Sequence, residues 1–133
     1  MPSRSLDDLR PVFRPRVDDW LADCASNGLD ILVYCTLRTD AEQENLYAQG
    51  RTLPGRILTN AKPGQSAHGY GLGLDHVPML AGKPQWGAGN PLYVRSINIA
   101  LSHGLESLNK SSFPEWAHLQ MPDWRAYIDQ RTA

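Results

Sequence analysis

From Arg51 to Gly73 the chain carries two prolines and five glycines with few apolar residues. A run of that length inside a compact domain is either functional or disordered. The whole chain holds 11 Gly and 10 Pro, which points to turns and irregular loops rather than a helix bundle, and the mixed order of the elements lacks the even strand–helix alternation of a doubly wound sheet. Before that run, Val17, Trp20, Leu21 and Cys24 recur at helical spacing, with Gly28 just beyond as a stop. Ser5 is placed to cap a short turn ahead of Pro11. Leu29–Thr36 is apolar and β-branched and reads as a buried strand. Thr39-Asp40-Ala41-Glu42 forms a capping box that opens a helix to about Gln49, stopped by Gly50. After the loop, Leu72–Met79 and Trp116–Met121 read as strands. Asn90-Pro91 opens a helix to about His103, and Pro122–Gln130 reads as a final short helix. The expected architecture is α+β: one domain over 1–133, with a small, mostly antiparallel sheet flanked by helices.

Thirteen Lys and Arg against 14 Asp and Glu leave a formal charge of −1. That balance supplies no basic field for nucleic acid. No stretch approaches the ~18 apolar residues of a membrane span, so no stable membrane association is expected. The first eight residues have neither an apolar core nor a cleavage pattern, which predicts synthesis in the cytoplasm without a secretory leader. Cys24, on a helix face, and Cys35, in a strand, read as small buried hydrophobes; a disulfide between them is not inferable from two residues.

The segment with the most chemistry is Ser66-Ala67-His68-Gly69-Tyr70-Gly71-Leu72-Gly73-Leu74-Asp75, and the second is Glu115-Trp116-Ala117-His118. Together they supply two imidazoles and a carboxylate for a metal, and one further carboxylate. Three protein ligands with an open position is the composition of a catalytic zinc site, and amide hydrolysis also needs a group that takes and returns a proton. Side chains alternate along a strand, so if Asp75 faces the site His76 faces away. Glu115 and His118 fall on opposite faces of a regular strand, so their convergence requires Glu115 to sit in a bend after Pro114. Each motif alone is commonplace: a His among glycines is usually a hydrogen-bonded surface group, and an Asp at a strand end is often a turn former. His76 and His103 read as ordinary polar or capping residues. Trp86, Trp116, Trp124 and Tyr70 could line a groove, with core packing the default for at least half of them.

Ser66-x-His68-x-x-Gly71-x-x-x-Asp75 followed by Glu115-x-x-His118 resembles the zinc site of the D-alanyl-D-alanine carboxypeptidase and L-alanyl-D-glutamate endopeptidase family, especially its phage endolysin branch. Arg38-Thr39-x-x-x-Gln43-x-x-Leu46-Tyr47-x-x-Gly50-Arg51 resembles the arginine-bearing segment those enzymes carry upstream. The resemblance implies that His68, Asp75 and His118 bind Zn2+ and that Glu115 is the general acid/base. It places Arg38 at the scissile carbonyl, as oxyanion stabiliser and substrate ligand. Ser66 is implied to support the zinc loop or bind substrate, and Gln43 to orient Arg38 or contact substrate. Gly73 stands where the family usually has alanine, a change expected to loosen the strand without removing chemistry. The segment Leu105–Phe113 lacks the Trp- and Gly-rich pattern common before the last motif.

The function this implies is a monomeric phage endolysin that hydrolyses the L-Ala–D-Glu bond of peptidoglycan stem peptides. It would reach the wall through a lesion made by a membrane-permeabilising partner. The same site would also serve a D-Ala–D-Ala carboxypeptidase. A reading of another class is a non-catalytic metal- or wall-binding domain of the same fold.

Overall fold

Val17, Trp20 and Cys24 share one buried stripe of the first helix, α1 (Arg14–Ser26), in a computed structural model that describes residues 2–109 and 114–128. Gly28 ends it at φ 74°, a left-handed conformation that glycine adopts at no steric cost. The turn is closed by hydrogen bonds from Leu29 N to the Cys24 carbonyl and from Gly28 N to that of Ala25. Ser5 caps a 3-10 turn, Leu6–Asp8, as its position predicts.

β1 spans Asp30–Cys35 and α2 spans Asp40–Ala48, the latter opened by the expected capping box, with Thr39 and Glu42 each bonded to the other's backbone. β2 (Gly73–Leu80), the two-residue β3 (Lys83–Pro84), α3 (Pro91–Ser102), β4 (Glu106–Leu108) and β5 (Glu115–Gln120) follow. Asn90 caps α3 through its side chain, with Pro91 in the first turn. The strands form one sheet in the order β1-β2-β5-β4, with β3 paired to β2, and these strand pairings are antiparallel. The α+β expectation therefore holds.

Two details differ from the sequence reading. β1 is an edge strand, and Cys35 is its one buried residue while Leu32 is exposed. Its apolar run resembles a fully enclosed strand, yet among the described strands it pairs with β2 alone. The expected final helix is a 3-10 turn over Trp124–Tyr127, and residues 129 and 130 lie outside the described residues. Among the described residues no helix is long and apolar enough to cross a membrane.

The core joins α1 and α3 to the sheet through Phe13, Trp20, Leu72, Leu74, Tyr93 and Leu119. His76 belongs to it: it is fully buried, faces away from Asp75 and lies edge-on to Trp20 and Tyr93, at 5.0 and 5.2 Å between ring centres. Burial pulls its pKa down to about 4, so it sits there as a neutral hydrogen-bonded group, not a ligand. His103 pairs with Asp23 at 2.8 Å, likewise outside the site.

Candidate metal centre

Ser66 begins the site. Its hydroxyl accepts from His68 N at 3.3 Å and caps a 3-10 turn, Ala67–Tyr70. Gly71 then takes φ 69°, and a Cβ there would lie 2.7 Å from the Asp8 carbonyl oxygen. The turn aims His68 inward and feeds the chain into β2, where the ladder places Cys35 opposite Asp75 on one side and His118 opposite Asp75 on the other.

Three donor atoms converge. His68 Nε2 is 3.2 Å from Asp75 Oδ1, His118 Nδ1 is 3.2 Å from His68 Nε2, and His118 Nδ1 is 3.5 Å from Asp75 Oδ1. Zinc bonds of about 2.0–2.1 Å at tetrahedral angles put neighbouring ligands about 3.3–3.4 Å apart. The remote nitrogens are already engaged. His68 Nδ1 donates to the Thr36 carbonyl at 2.8 Å, and His118 Nε2 donates to Gln120 Oε1 at 2.8 Å. With the outer nitrogens committed as donors, the inward nitrogens and the carboxylate face one another across a point that suits a shared proton or, in its place, a metal cation.

The electrostatics agree. Burial opposes a charge on His68, but Asp75 outweighs it and raises the imidazole pKa to about 10 in the absence of metal. Burial likewise opposes the Asp75 carboxylate, and the adjoining imidazoles hold its pKa well below the ordinary range.

Cys35, His68 and Asp75 also lie close enough to suggest a second donor set. Arg38 argues against it, because its Nη2 is 3.4 Å from both Cys35 Sγ and Asp75 Oδ2. Cys35 Sγ approaches His68 on the Nδ1 side, which Thr36 already engages. Cys35 is thus a buried neighbour of Arg38 and His68, in contact with polar groups as well as filling the small-hydrophobe role that its sequence position suggests. Cys24 keeps that role, its thiol pushed up to about 11 by burial. Both cysteines are free.

Arg38 is almost buried. Its Nη1 donates to Gln43 Oε1 at 2.8 Å, whereas its buried Nε has no hydrogen-bond partner among the described residues. Gln43 is buried behind it and donates to the Ala61 carbonyl at 2.7 Å, so both ends of its amide are committed. It orients Arg38 and does not line the cleft. Arg38, Ser66, Glu115 and Trp124 do line it, together with the three donors, around a cavity of about 300 Å³. Trp124 also stacks on Tyr70 at 5.5 Å, Trp116 packs against the core and Trp86 is exposed.

Glu115 reaches this cleft by a different route from the expected bend. It lies on β5 itself, and the β4–β5 ladder jumps from Ser107 opposite Leu119 to Leu108 opposite Glu115. That irregularity breaks the strict alternation of faces. Gln120 and Thr36 belong to no motif of the sequence. Gln120 carried a signal, since it lies two positions after His118 and so on the same strand face. Thr36 contributes a backbone carbonyl, which no residue type announces.

Gly73 sits against the donor set. A Cβ there would lie 3.0 Å from Ala67 Cβ and 3.1 Å from His118 Cε1, so a larger residue would require these neighbours to give by a few tenths of an ångström. Gly73→Ala should cost about 1–3 kcal/mol through overpacking and weaken zinc binding by displacing His118. Urea unfolding and chelator competition measure the two effects; wild-type values in both would show that the neighbours yield freely.

This fold and donor set place the chain in the class of α+β domains built around a metal centre. The chain belongs to the VanY family of D-alanyl-D-alanine carboxypeptidases, whose model matches residues 7–88. That match includes Arg38, His68 and Asp75, while Glu115 and His118 join them through the sheet. The peptidoglycan L-alanyl-D-glutamate endopeptidase CwlK of Bacillus subtilis (strain 168) is 41% identical over 68 residues, 51% of this chain and 41% of that protein. The chain thus matches about two fifths of the length of that relative. Among solved structures, the Serratia marcescens L-Ala D-Glu endopeptidase ChiX superposes with a TM-score of 0.70 at 20% identity, covering 96% of this chain and 92% of that one. A mutant of the vancomycin resistance D,D-pentapeptidase VanY from a VanB-type cassette, in complex with Zn(II), gives 0.65 at 15% identity, covering 94% and 79%.

Proposed function

We propose that this domain is a zinc peptidase that hydrolyses the L-Ala–D-Glu bond of peptidoglycan stem peptides. The observation that carries it is the convergence of His68 Nε2, Asp75 Oδ1 and His118 Nδ1 in a cleft also lined by Glu115 and Arg38. Zinc at that point supplies a Lewis acid and a water acidic enough to react near neutral pH. Glu115 takes the proton of the attacking water and returns it to the leaving amine. Arg38, whose side chain lines the cleft, provides a cationic donor for the oxygen on which charge develops, and losing one such donor typically costs about 3–4 kcal/mol of barrier. Gln43 keeps the guanidinium turned for that contact.

The name of the Bacillus relative supports the L-Ala–D-Glu bond; the family's description favours a second reading, a carboxypeptidase acting on D-Ala–D-Ala ends. The likeness of the motifs to phage endolysins supports a role in lysis, with synthesis in the host cytoplasm and access to the wall once a partner opens the membrane. Mass spectrometry of purified peptidoglycan digested with and without a chelator tests these readings. Chelator-sensitive peptides with a new N-terminal D-Glu are expected. Release of D-Ala alone would select the carboxypeptidase, and no product from several wall types would leave only a binding domain.

A further inference from the structure

His68 and His118 are held differently. The tautomer of His68 is set by a backbone carbonyl, which can only accept. His118 instead faces the side-chain amide of Gln120, a group with an acceptor at one end and donors at the other. Turned over, that amide would donate to Nε2 and leave the proton on Nδ1, where a metal must bind.

Glu106 removes that freedom. It lies opposite Gln120 in the β4–β5 ladder, and Gln120 Nε2 donates to Glu106 Oε1 at 2.5 Å. A carboxylate at this position accepts and does not donate, so the amide nitrogen must point outward and Oε1 inward. Oε1 then accepts from His118 Nε2 at 2.8 Å, and Nδ1 keeps its lone pair, 3.2 Å from His68 Nε2. Gln120 is buried, whereas Glu106 is exposed at a second cavity of about 420 Å³ beside the main cleft.

We propose that Glu106 is a positioning residue for the metal centre, setting the tautomer of His118 through Gln120. It touches neither metal nor substrate; it acts two hydrogen bonds away, across the sheet from β4 to β5. The inference deepens the zinc reading and rests on it.

The test is a charge-conserving swap. Zinc affinity is measured by competition with a chromophoric chelator for wild type, Glu106→Gln, and the double variant Glu106→Gln with Gln120→Glu. Outer-shell partners of ligating histidines typically contribute about 10–100-fold in affinity, and Glu106→Gln should lose a factor in that range. In the double variant a carboxylate at position 120 accepts from His118 directly while the amide at position 106 donates to it, so affinity should return to within a few-fold of wild type. Nitrogen NMR of His118 in the metal-free chain supplies an independent readout: the Nε2–H form in wild type and the double variant, and a mixture in Glu106→Gln. Unchanged affinity and unchanged tautomer in Glu106→Gln would overturn the proposal. So would a loss that the double variant does not restore, which would assign the effect to packing. Failure of wild type to bind zinc would remove the underlying zinc reading, and the tautomer measurement would still decide the relay.

Discussion

Glu115→Gln should leave zinc bound and reduce peptide hydrolysis by a factor of about 10²–10⁴, the usual contribution of a positioned general acid–base group. The three donors are His68, Asp75 and His118, and Glu115 is absent from their hydrogen bonds and ion pairs. Its side chain lines the same cleft, and glutamine keeps its size and can still hydrogen-bond a water. What it cannot do is take the proton of that water or deliver one to the leaving amine. Turnover on isolated stem peptides, set beside zinc per chain after dialysis, separates the two roles. Wild-type turnover with one zinc bound would remove Glu115 from the mechanism.

His118→Ala should fail in the opposite way, losing the metal and with it all hydrolysis. Its Nδ1 lies within 3.5 Å of both other donors, and its ring packs edge-on to His68 at 4.9 Å between centres. Alanine leaves two donors and frees the inward end of Gln120, which has no other acceptor role in the site. Zinc per chain after dialysis is expected to fall from near one to near zero, while the far-ultraviolet circular dichroism stays close to wild type. Retention of a full equivalent of zinc would show that the metal is held elsewhere.

Much of this molecule can be read from its residues because the signals are local. Thr39 with Glu42, Asn90 with Pro91, and Gly28 after an apolar stripe each specify a helix end within a few positions. The segments bearing His68 and Asp75, and Glu115 and His118, stand out as imidazole and carboxylate pairs, and it is their joint resemblance to a known family that implies the donor set and the proton carrier. The features that escaped are those decided across strands. β4 holds three residues, too few for any periodicity, and it owes its existence to β5. Glu115 reaches the cleft because the ladder slips beside it, a property of the pairing and not of the strand. Leu29–Thr36 has the composition of an enclosed strand, and only the sheet order reveals that β1 lies at the edge, with β2 as its strand neighbour. Gly73 is informative only once Ala67 and His118 are seen within about 3 Å of the space a Cβ would fill. Cys35 and Gln43 are ordinary letters until Arg38 is found between them.

Cys35, Asp75 and His118 form a single row across β1, β2 and β5. Sliding β5 by one residue would turn His118 toward the helices and bring an apolar neighbour into its place. The metal is therefore a proofreader of the sheet. It binds the correctly paired chain and has no comparable grip on a slipped or unfolded one, so by mass action it draws the population toward the native register. Residues far apart in the chain must meet before that reward exists.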